Sequence, residues 1–318
     1  METQYAAYGL QLDSSFRLPG MENGAHVIDG LPTLTLTQQE PDELERAWSG
    51  ADGPPKWRGW LGDGLDLTIE RGHAGDLLFA YGNRARFRLD AQQQSLICAP
   101  SQAGLDWQRA LIGKILPSIS VMRGYEALHA AAVDSPEGVV AIMAPSGSGK
   151  STVVIELLRR GWRLFADDVL TLDHMDAAVR AYPGTPHMNL AESLPEAIDP
   201  QTLGTTLGIL AGERWLVTHA TTQHPRPVRM LCLLERGSGL SLETHNLPSS
   251  PLVLAPYMLG LSTDVERERS RFGLYADLME SATLVRLTAG LEHRPAQLAE
   301  LVEQALARRP EPIAGGIA

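Results

Sequence analysis

The stretch Val139-Val140-Ala141-Ile142-Met143-Ala144-Pro145-Ser146-Gly147-Ser148-Gly149-Lys150-Ser151-Thr152 constrains the fold of this chain more than any other. An apolar run that reads as a strand enters a loop of small residues, and a helix is predicted to begin at Lys150. A glycine-rich turn followed at once by a helix gathers backbone N–H groups into one concavity, where they and the helix dipole favour a polyphosphate. The residues follow the pattern GxxxxGK[ST] with Ala144 in place of the first glycine, while Gly147 and Gly149 still supply the tight part of the loop. In that arrangement Ser146, Gly147, Ser148, Gly149, Lys150, Ser151 and Thr152 cradle the phosphates of ATP. Lys150 reaches the β- and γ-phosphates, and the Ser151 hydroxyl is a ligand of Mg²⁺. The competing reading is a Gly/Ser turn that binds nothing. The order of strand, loop, Gly-Lys-Ser and helix weighs against it.

A chain of 318 residues allows one large or two modest domains. With 44% hydrophobic and 20% charged residues it has the composition of an ordinary globular protein. The net charge of −11 and a pI near 5.3 argue against a protein that coats nucleic acid, which needs a basic face. Cys98 and Cys232 each sit among apolar neighbours and read as small core residues of a reducing compartment. Met1-Glu2-Thr3-Gln4-Tyr5 carries no secretory pattern, and no apolar run approaches the ~20 residues of a membrane span, so the cytoplasm is expected and no membrane partner.

Residues 1–104 hold short β-like runs parted by turns, among them Leu65–Ile69, Leu77–Tyr81, Ala85–Leu89 and Ser95–Cys98, and define a strand-rich N-terminal lobe for substrate contact or scaffolding. Residues 50–59, with Asp52-Gly53-Pro54-Pro55, read as a surface loop. Apolar residues recur at helical spacing between Gly104 and Gly124, with Pro117 expected to kink or split that helix. The second domain, 105–318, then alternates strand and helix: Glu126–Val133, Val139–Met143, a helix from Lys150 to about Arg160 with Gly161 as its stop, Arg163–Ala166 and Val169–Leu172. Asp173–Pro200 reads as loop-rich and Gly204–Gly212 as a flexible stretch. Strands are expected at Val228–Leu234 and Thr283–Thr288, and helices at Leu252–Leu261, Val265–Ser281 and Pro295–Ala307, followed by a frayed tail from Arg308.

Asp167-Asp168 follows the apolar run Leu164-Phe165-Ala166 at a predicted strand end. After a phosphate loop such a pair has a use: one carboxylate completes the Mg²⁺ shell and the other accepts a proton from an attacking hydroxyl. A solvated turn is the plainer alternative. His129 lies on the strand before the loop strand, a position where a core histidine is the common case. The remaining histidines, His26, His73, His174, His187, His219, His224, His245 and His293, show no zinc-like spacing.

Leu128-His129, Ala144-Pro145-Ser146-Gly147-Ser148-Gly149-Lys150-Ser151 and Glu156-Leu157-Leu158-Arg159-Arg160-Gly161-Trp162-Arg163-Leu164-Phe165-Ala166-Asp167-Asp168 together resemble the core of the HPr kinase/phosphorylase family. The resemblance spans residues 125–172 and continues more faintly through Pro183-Gly184-Thr185-Pro186 and Pro227–Leu234. It implies an α/β fold with a phosphoenolpyruvate-carboxykinase-like P-loop kinase core. It implies Asp168 as the base toward a serine-type hydroxyl, Asp167 and Ser151 at the metal, Lys150 on the phosphates, and His129 in the place of the family's histidine.

Two departures stand out. Ala130 replaces the family's glycine, and the downstream Met-Glu-Ile-Arg-Gly-like signature that supports dephosphorylation is missing. Glu192, and Arg226 or Arg229, are candidates for the family's later glutamate and arginine. In these departures and in its separate N-terminal lobe the chain is similar to diverged kinases that phosphorylate the C-terminal serine of lasso-peptide precursors. The expectation is an ATP- and Mg²⁺-dependent kinase acting on a Ser hydroxyl of a peptide or small protein, as a homo-oligomer. A kinase of small-metabolite hydroxyls and a nucleotide-binding regulator without catalysis are the alternatives.

Overall fold

The structure, a computed structural model, describes residues 3–21, 28–50, 57–61, 65–145, 147–175, 178–192, 194, 198–244, 250–259 and 265–307. Contacts divide the chain into two compact units, residues 1–125 with 185–217, and residues 126–184 with 218–318. The division differs from the expected boundary at 104/105. The helices after residue 104 belong to the first unit, and the chain returns to that unit after Gly184.

The first unit carries β1 (Thr3–Ala7), β2 (Leu10–Ser14), β3 (Thr33–Gln38), α1 (Pro41–Ala47), β4 (Trp57–Leu61), β5 (Leu65–Arg71), β6 (Leu77–Tyr81), β7 (Ala85–Leu89) and β8 (Ser95–Pro100). The strands form one sheet in the order β1-β2-β3-β8-β7-β6-β5-β4. Alternation drives it: in β7, Ala85, Phe87 and Leu89 are buried while Arg86 and Arg88 are not. Of the loop expected at 50–59, residues 51–56 lie outside the described residues and Trp57 already begins β4. The β1–β2 hairpin turns at Tyr8-Gly9, both with positive φ, as a two-residue turn matched to strand twist requires. Gly9 has a second reason to lack a side chain, because a Cβ there would lie 2.6 Å from the Tyr125 ring, whose hydroxyl donates to the Gly9 carbonyl at 2.9 Å.

The helix expected around Pro117 forms as α2 (Asp106–Ala110), a π-helical turn (Leu111–Ile115) and α3 (Leu116–Met122). The wider turn ends two residues before Pro117, which has no N–H to give, and the run stays helical instead of ending. Arg109 of α2 donates to Asn189 Oδ1 at 2.9 Å and to the Leu210 carbonyl at 2.8 Å, and pairs with Glu213. These bonds explain why this helix belongs with residues 185–217.

The second unit continues the count with β9 (Glu126–His129), β10 (Ala131–Ser135), β11 (Gly138–Met143), α4 (Lys150–Arg159), β12 (Arg163–Ala166), β13 (Val169–Met175) and β14 (Ala178–Tyr182). β15 (His187–Ala191), β16 (Gly204–Leu210) and β17 (Glu213–Thr218) then form a small sheet of the first unit, in the order β15-β17-β16. Regular strands thus replace the loops expected in 173–212. The glycines of β16 are tolerated because it is an edge strand, and Ala211-Gly212, both at positive φ, close its hairpin with β17.

The chain then adds β18 (Arg226–Arg236), β19 (Leu240–Glu243), a 3-10 segment (Pro251–Tyr257) where a longer helix was expected, α5 (Val265–Ser281), β20 (Thr283–Ala289) and α6 (Pro295–Ala307). Pro251 and Pro256 withhold the N–H groups that a full α-helix would need there. The expected tail from Arg308 lies outside the described residues.

β18 is the axis of the unit's sheet, parallel to both β11 and β20 and touched at Arg226 and Pro227 by β14. β11 is buried at every position, as a parallel strand covered on both faces must be. Val139, Ala141 and Met143 pack in one cluster with Leu274, Tyr275 and Leu278 of α5. By alternation Val140 and Ile142 face the other side, where α4 lies against β10, β11 and β12. No helix among the described residues is long and apolar enough to cross a membrane.

Two buried ionisable groups set testable terms. His187, 5% exposed, donates its Nε2–H to the Pro19 carbonyl at 2.7 Å and stacks on Trp215. Its Nδ1 is buried with no hydrogen-bond partner among the described residues, and burial pulls the imidazole pKa from 6.5 down to about 4. The unfolded chain therefore binds this proton at higher pH than the folded chain does. Stability contributed by the neutral ring is complete above the unfolded value of 6.5 and falls away as pH drops toward 4. Urea unfolding at pH 7 and pH 4.5 is expected to show wild type losing roughly 2–3 kcal/mol more than His187→Gln; parallel losses would contradict this. Glu126, 1% exposed on β9, is paired at 2.8 Å with each of Arg267 and Arg271 of α5. Removing its charge takes away the buried carboxylate that both guanidiniums share and leaves Arg271 with the more exposed Glu268 at 3.0 Å, so Glu126→Gln is expected to cost on the order of 3 kcal/mol in the same assay. A change below about 0.5 kcal/mol, typical of a surface substitution, would refute the assignment.

Candidate functional site

Where the sequence suggested one strand from Glu126 to Val133, the chain breaks at Ala130 into β9 and β10. The facing chain breaks at Asp167-Asp168 into β12 and β13. The two breaks coincide: His129 pairs with Val169 on one side, Ala132 with Ala166 on the other, and the Ala130 N–H donates to the Asp168 carbonyl at 3.2 Å between them. Asp168 stands at φ +65°, and the Val169 N–H reaches back to the Asp167 carbonyl at 2.8 Å. That is a γ-turn with a left-handed centre, a rare and strained form for a residue bearing a Cβ. Strain of this kind costs about 1–3 kcal/mol and concentrates at functional sites.

The loop between β11 and α4 closes against this corner. Gly147 at φ +77° and Gly149 at φ +95° take conformations that disfavour a side chain. The Ser148 N–H donates to the Pro145 carbonyl at 3.2 Å, and Gly149 caps α4 without any side-chain hydrogen bond. Thr152 lies in the first turn, its N–H donating to the Gly149 carbonyl at 3.1 Å. Lys150, first residue of α4, faces the Asp168 carboxylate with Nζ 3.8 Å from Oδ1 and the His129 ring with Nζ 3.4 Å from Nε2. His129 Nδ1 lies 3.0 Å from the Asp168 carbonyl, which can only accept, so Nδ1 carries the proton and Nε2 offers its lone pair to the ammonium.

The structure thus brings together three residues the sequence singled out, Lys150, His129 and Asp168, with Asp167 beside them in the turn and Ser151 next on the helix. Ser146 lies outside the described residues. Arg226 and Arg229 do not join the site. They occupy the opening of β18, Arg226 bound to Asp134 and to the Ser135 carbonyl, Arg229 to the Glu137 carbonyl, whereas the loop follows the far end of β11, to which β18 runs parallel. Glu192 is an exposed residue just past β15 in the other unit. Sequence reasoning missed Arg236, whose Nη2 lies 3.0 Å from where a Cβ on Gly149 would be. Its position two residues past the apolar run Met230–Leu234 was the available signal, because ligands of such sheets gather at the carboxyl ends of parallel strands.

The chain matches no known protein-family model and no curated protein sequence. Among solved structures it is similar to that of the HPr(Ser) kinase/phosphatase from Coxiella burnetii, with 16% identity and a TM-score of 0.31 over 56% of this chain and 95% of that one.

Proposed function

We propose that this chain is a kinase, with a phosphoenolpyruvate-carboxykinase-like P-loop core, that transfers the γ-phosphoryl group of ATP to a serine hydroxyl of a peptide or small protein. The observation that carries the reading is the convergence of Lys150, His129 and Asp168 beside a left-handed glycine loop, with Lys150 within 3.8 Å of the carboxylate and 3.4 Å of the imidazole. Phosphoryl transfer asks a protein for positioning, charge neutralisation and a base, and this set supplies all three.

In this reading the loop amides and the Lys150 ammonium hold the phosphate chain. The acceptor oxygen bonds to the γ-phosphorus as the bond from that phosphorus to the β,γ-bridging oxygen breaks, ADP departs, and the hydroxyl proton passes to the Asp168 carboxylate. His129 fixes the Asp168 backbone through its Nδ1–H and steadies Lys150 through Nε2. The Ser151 hydroxyl and the Asp167 carboxylate are hard oxygen donors that suit Mg²⁺, which is held by one or two protein ligands plus phosphates and not by an all-protein cage. Once bound, Mg²⁺ neutralises phosphate charge. The resemblance in the sequence makes the C-terminal serine of a lasso-peptide precursor the acceptor to test first.

Asp168→Asn is expected to keep MgATP affinity near wild type and to lose transfer by about 10²- to 10⁴-fold, whereas Lys150→Ala weakens both. Titration calorimetry paired with transfer of labelled γ-phosphate to Ser-ending peptides separates the two effects, and near wild-type transfer by Asp168→Asn would remove Asp168 as the base. Gly149→Ala forces a side chain into φ +95° with Arg236 3.0 Å away, so MgATP affinity is expected to fall roughly tenfold or more. Undiminished binding by that variant would show that the loop tolerates a different backbone.

A further inference from the structure

We propose that Arg236 is a second cation of the donor site and grips the phosphate chain of the nucleoside triphosphate from the side opposite the strand corner; the inference rests on the donor-site reading above. β18 and β11 run parallel with Met143 beside Leu233, so the chain leaving Met143 into the loop continues alongside Leu234, Glu235 and Arg236. The guanidinium ends beside Gly149, its Nη2 3.0 Å from a Cβ that this glycine lacks. A glycine that must be left-handed for the loop therefore also leaves room for a cation to approach the loop backbone.

The charge of Arg236 has no counter-ion among the described residues. Its Nη1 donates to the Gly290 carbonyl, a long contact at 3.4 Å that orients the side chain without neutralising it. Glu235, its neighbour on β18, is taken by Arg286 at 3.3 Å, and Glu292, whose carboxylate lies against Gly290, faces His293 at 3.4 Å. An exposed guanidinium held by a carbonyl beside a lysine-bearing loop gathers like charge in one place, and a polyanion relieves that repulsion. The planar fork donates two parallel N–H bonds to non-bridging phosphate oxygens, a geometry an ammonium cannot reproduce.

Affinity for MgATP and for magnesium tripolyphosphate, measured by calorimetry on the full chain, tests this. Arg236→Ala is expected to weaken both by the same factor, about ten- to a hundredfold, the range of a charge-assisted hydrogen bond. Arg236→Lys recovers part of the loss. Arg229→Ala, at the opposite end of the same strand, binds as wild type does. Added salt erodes wild-type affinity more steeply than that of Arg236→Ala, a difference that a merely structural defect would not produce. Equal affinity of wild type and Arg236→Ala overturns the proposal, and so does a loss confined to MgATP, which would assign Arg236 to the nucleoside. Wild type that binds neither probe refutes the donor site itself, and Arg236 with it.

Discussion

The site depends on two neighbouring antiparallel strands that break at the same level. Had only one bent, its partner would have lost ladder hydrogen bonds on one side of the bend. With Ala130 and Asp167-Asp168 opposite one another, pairing resumes on both sides, Leu170 with Leu128 beyond the break and Ala132 with Ala166 before it. The backbone strain falls on Asp168, beside a register shift at Ala132/Val133 in the β10–β12 ladder. Asp168 takes φ +65°, and its carbonyl, with two lone pairs, accepts from both the Ala130 N–H and His129 Nδ1. The corner thereby presents a carboxylate and an imidazole where Lys150 emerges.

Much of this was legible along the chain. Strand β11, helix α4 and the loop between them follow from an apolar run, two glycines and a helical period, all local signals. The two terminal helices and β20 follow for the same reason. The break at Ala130 carries no such signal: Glu126–Val133 is a smooth β-like run, and its bend is imposed by the facing γ-turn thirty-odd residues away in sequence. Strand β15 was hidden by the Pro183-Gly184-Thr185-Pro186 run before it and β16 by its own Gly204 and Gly208, whose loop-like character is overridden once a hairpin turn and an edge position make pairing inexpensive.

Within the site, legibility followed distance along the chain. Lys150, Ser151, Asp167 and Asp168 lie within one strand-loop-helix-strand unit and could be named from spacing. The arginine question could not. Three arginines lie on one eleven-residue strand, Arg226, Arg229 and Arg236, and only the strand's direction relative to β11 decides which end meets the loop. Parallel pairing places the carboxyl end there, which selects Arg236 and leaves Arg226 and Arg229 to bind the β10–β11 turn.

Magnitudes decide what holds the corner. The Lys150–Asp168 pair at 3.8 Å involves a carboxylate one-third exposed, and pairs of that kind contribute about 1 kcal/mol or less. The left-handed turn costs about 1–3 kcal/mol. The ion pair therefore cannot be what keeps Asp168 in place. That work falls to the ladders on either side and to buried neighbours, Leu128, Phe165, Ala166 and Leu170, each no more than 1% exposed. Because the turn is held by backbone and packing, Lys150 can exchange the carboxylate for a phosphate without the turn relaxing. In the proposed reading the Asp168 carboxylate thus keeps its position while its counter-ion changes partner, as a site that is to hold a polyphosphate and then accept a proton requires.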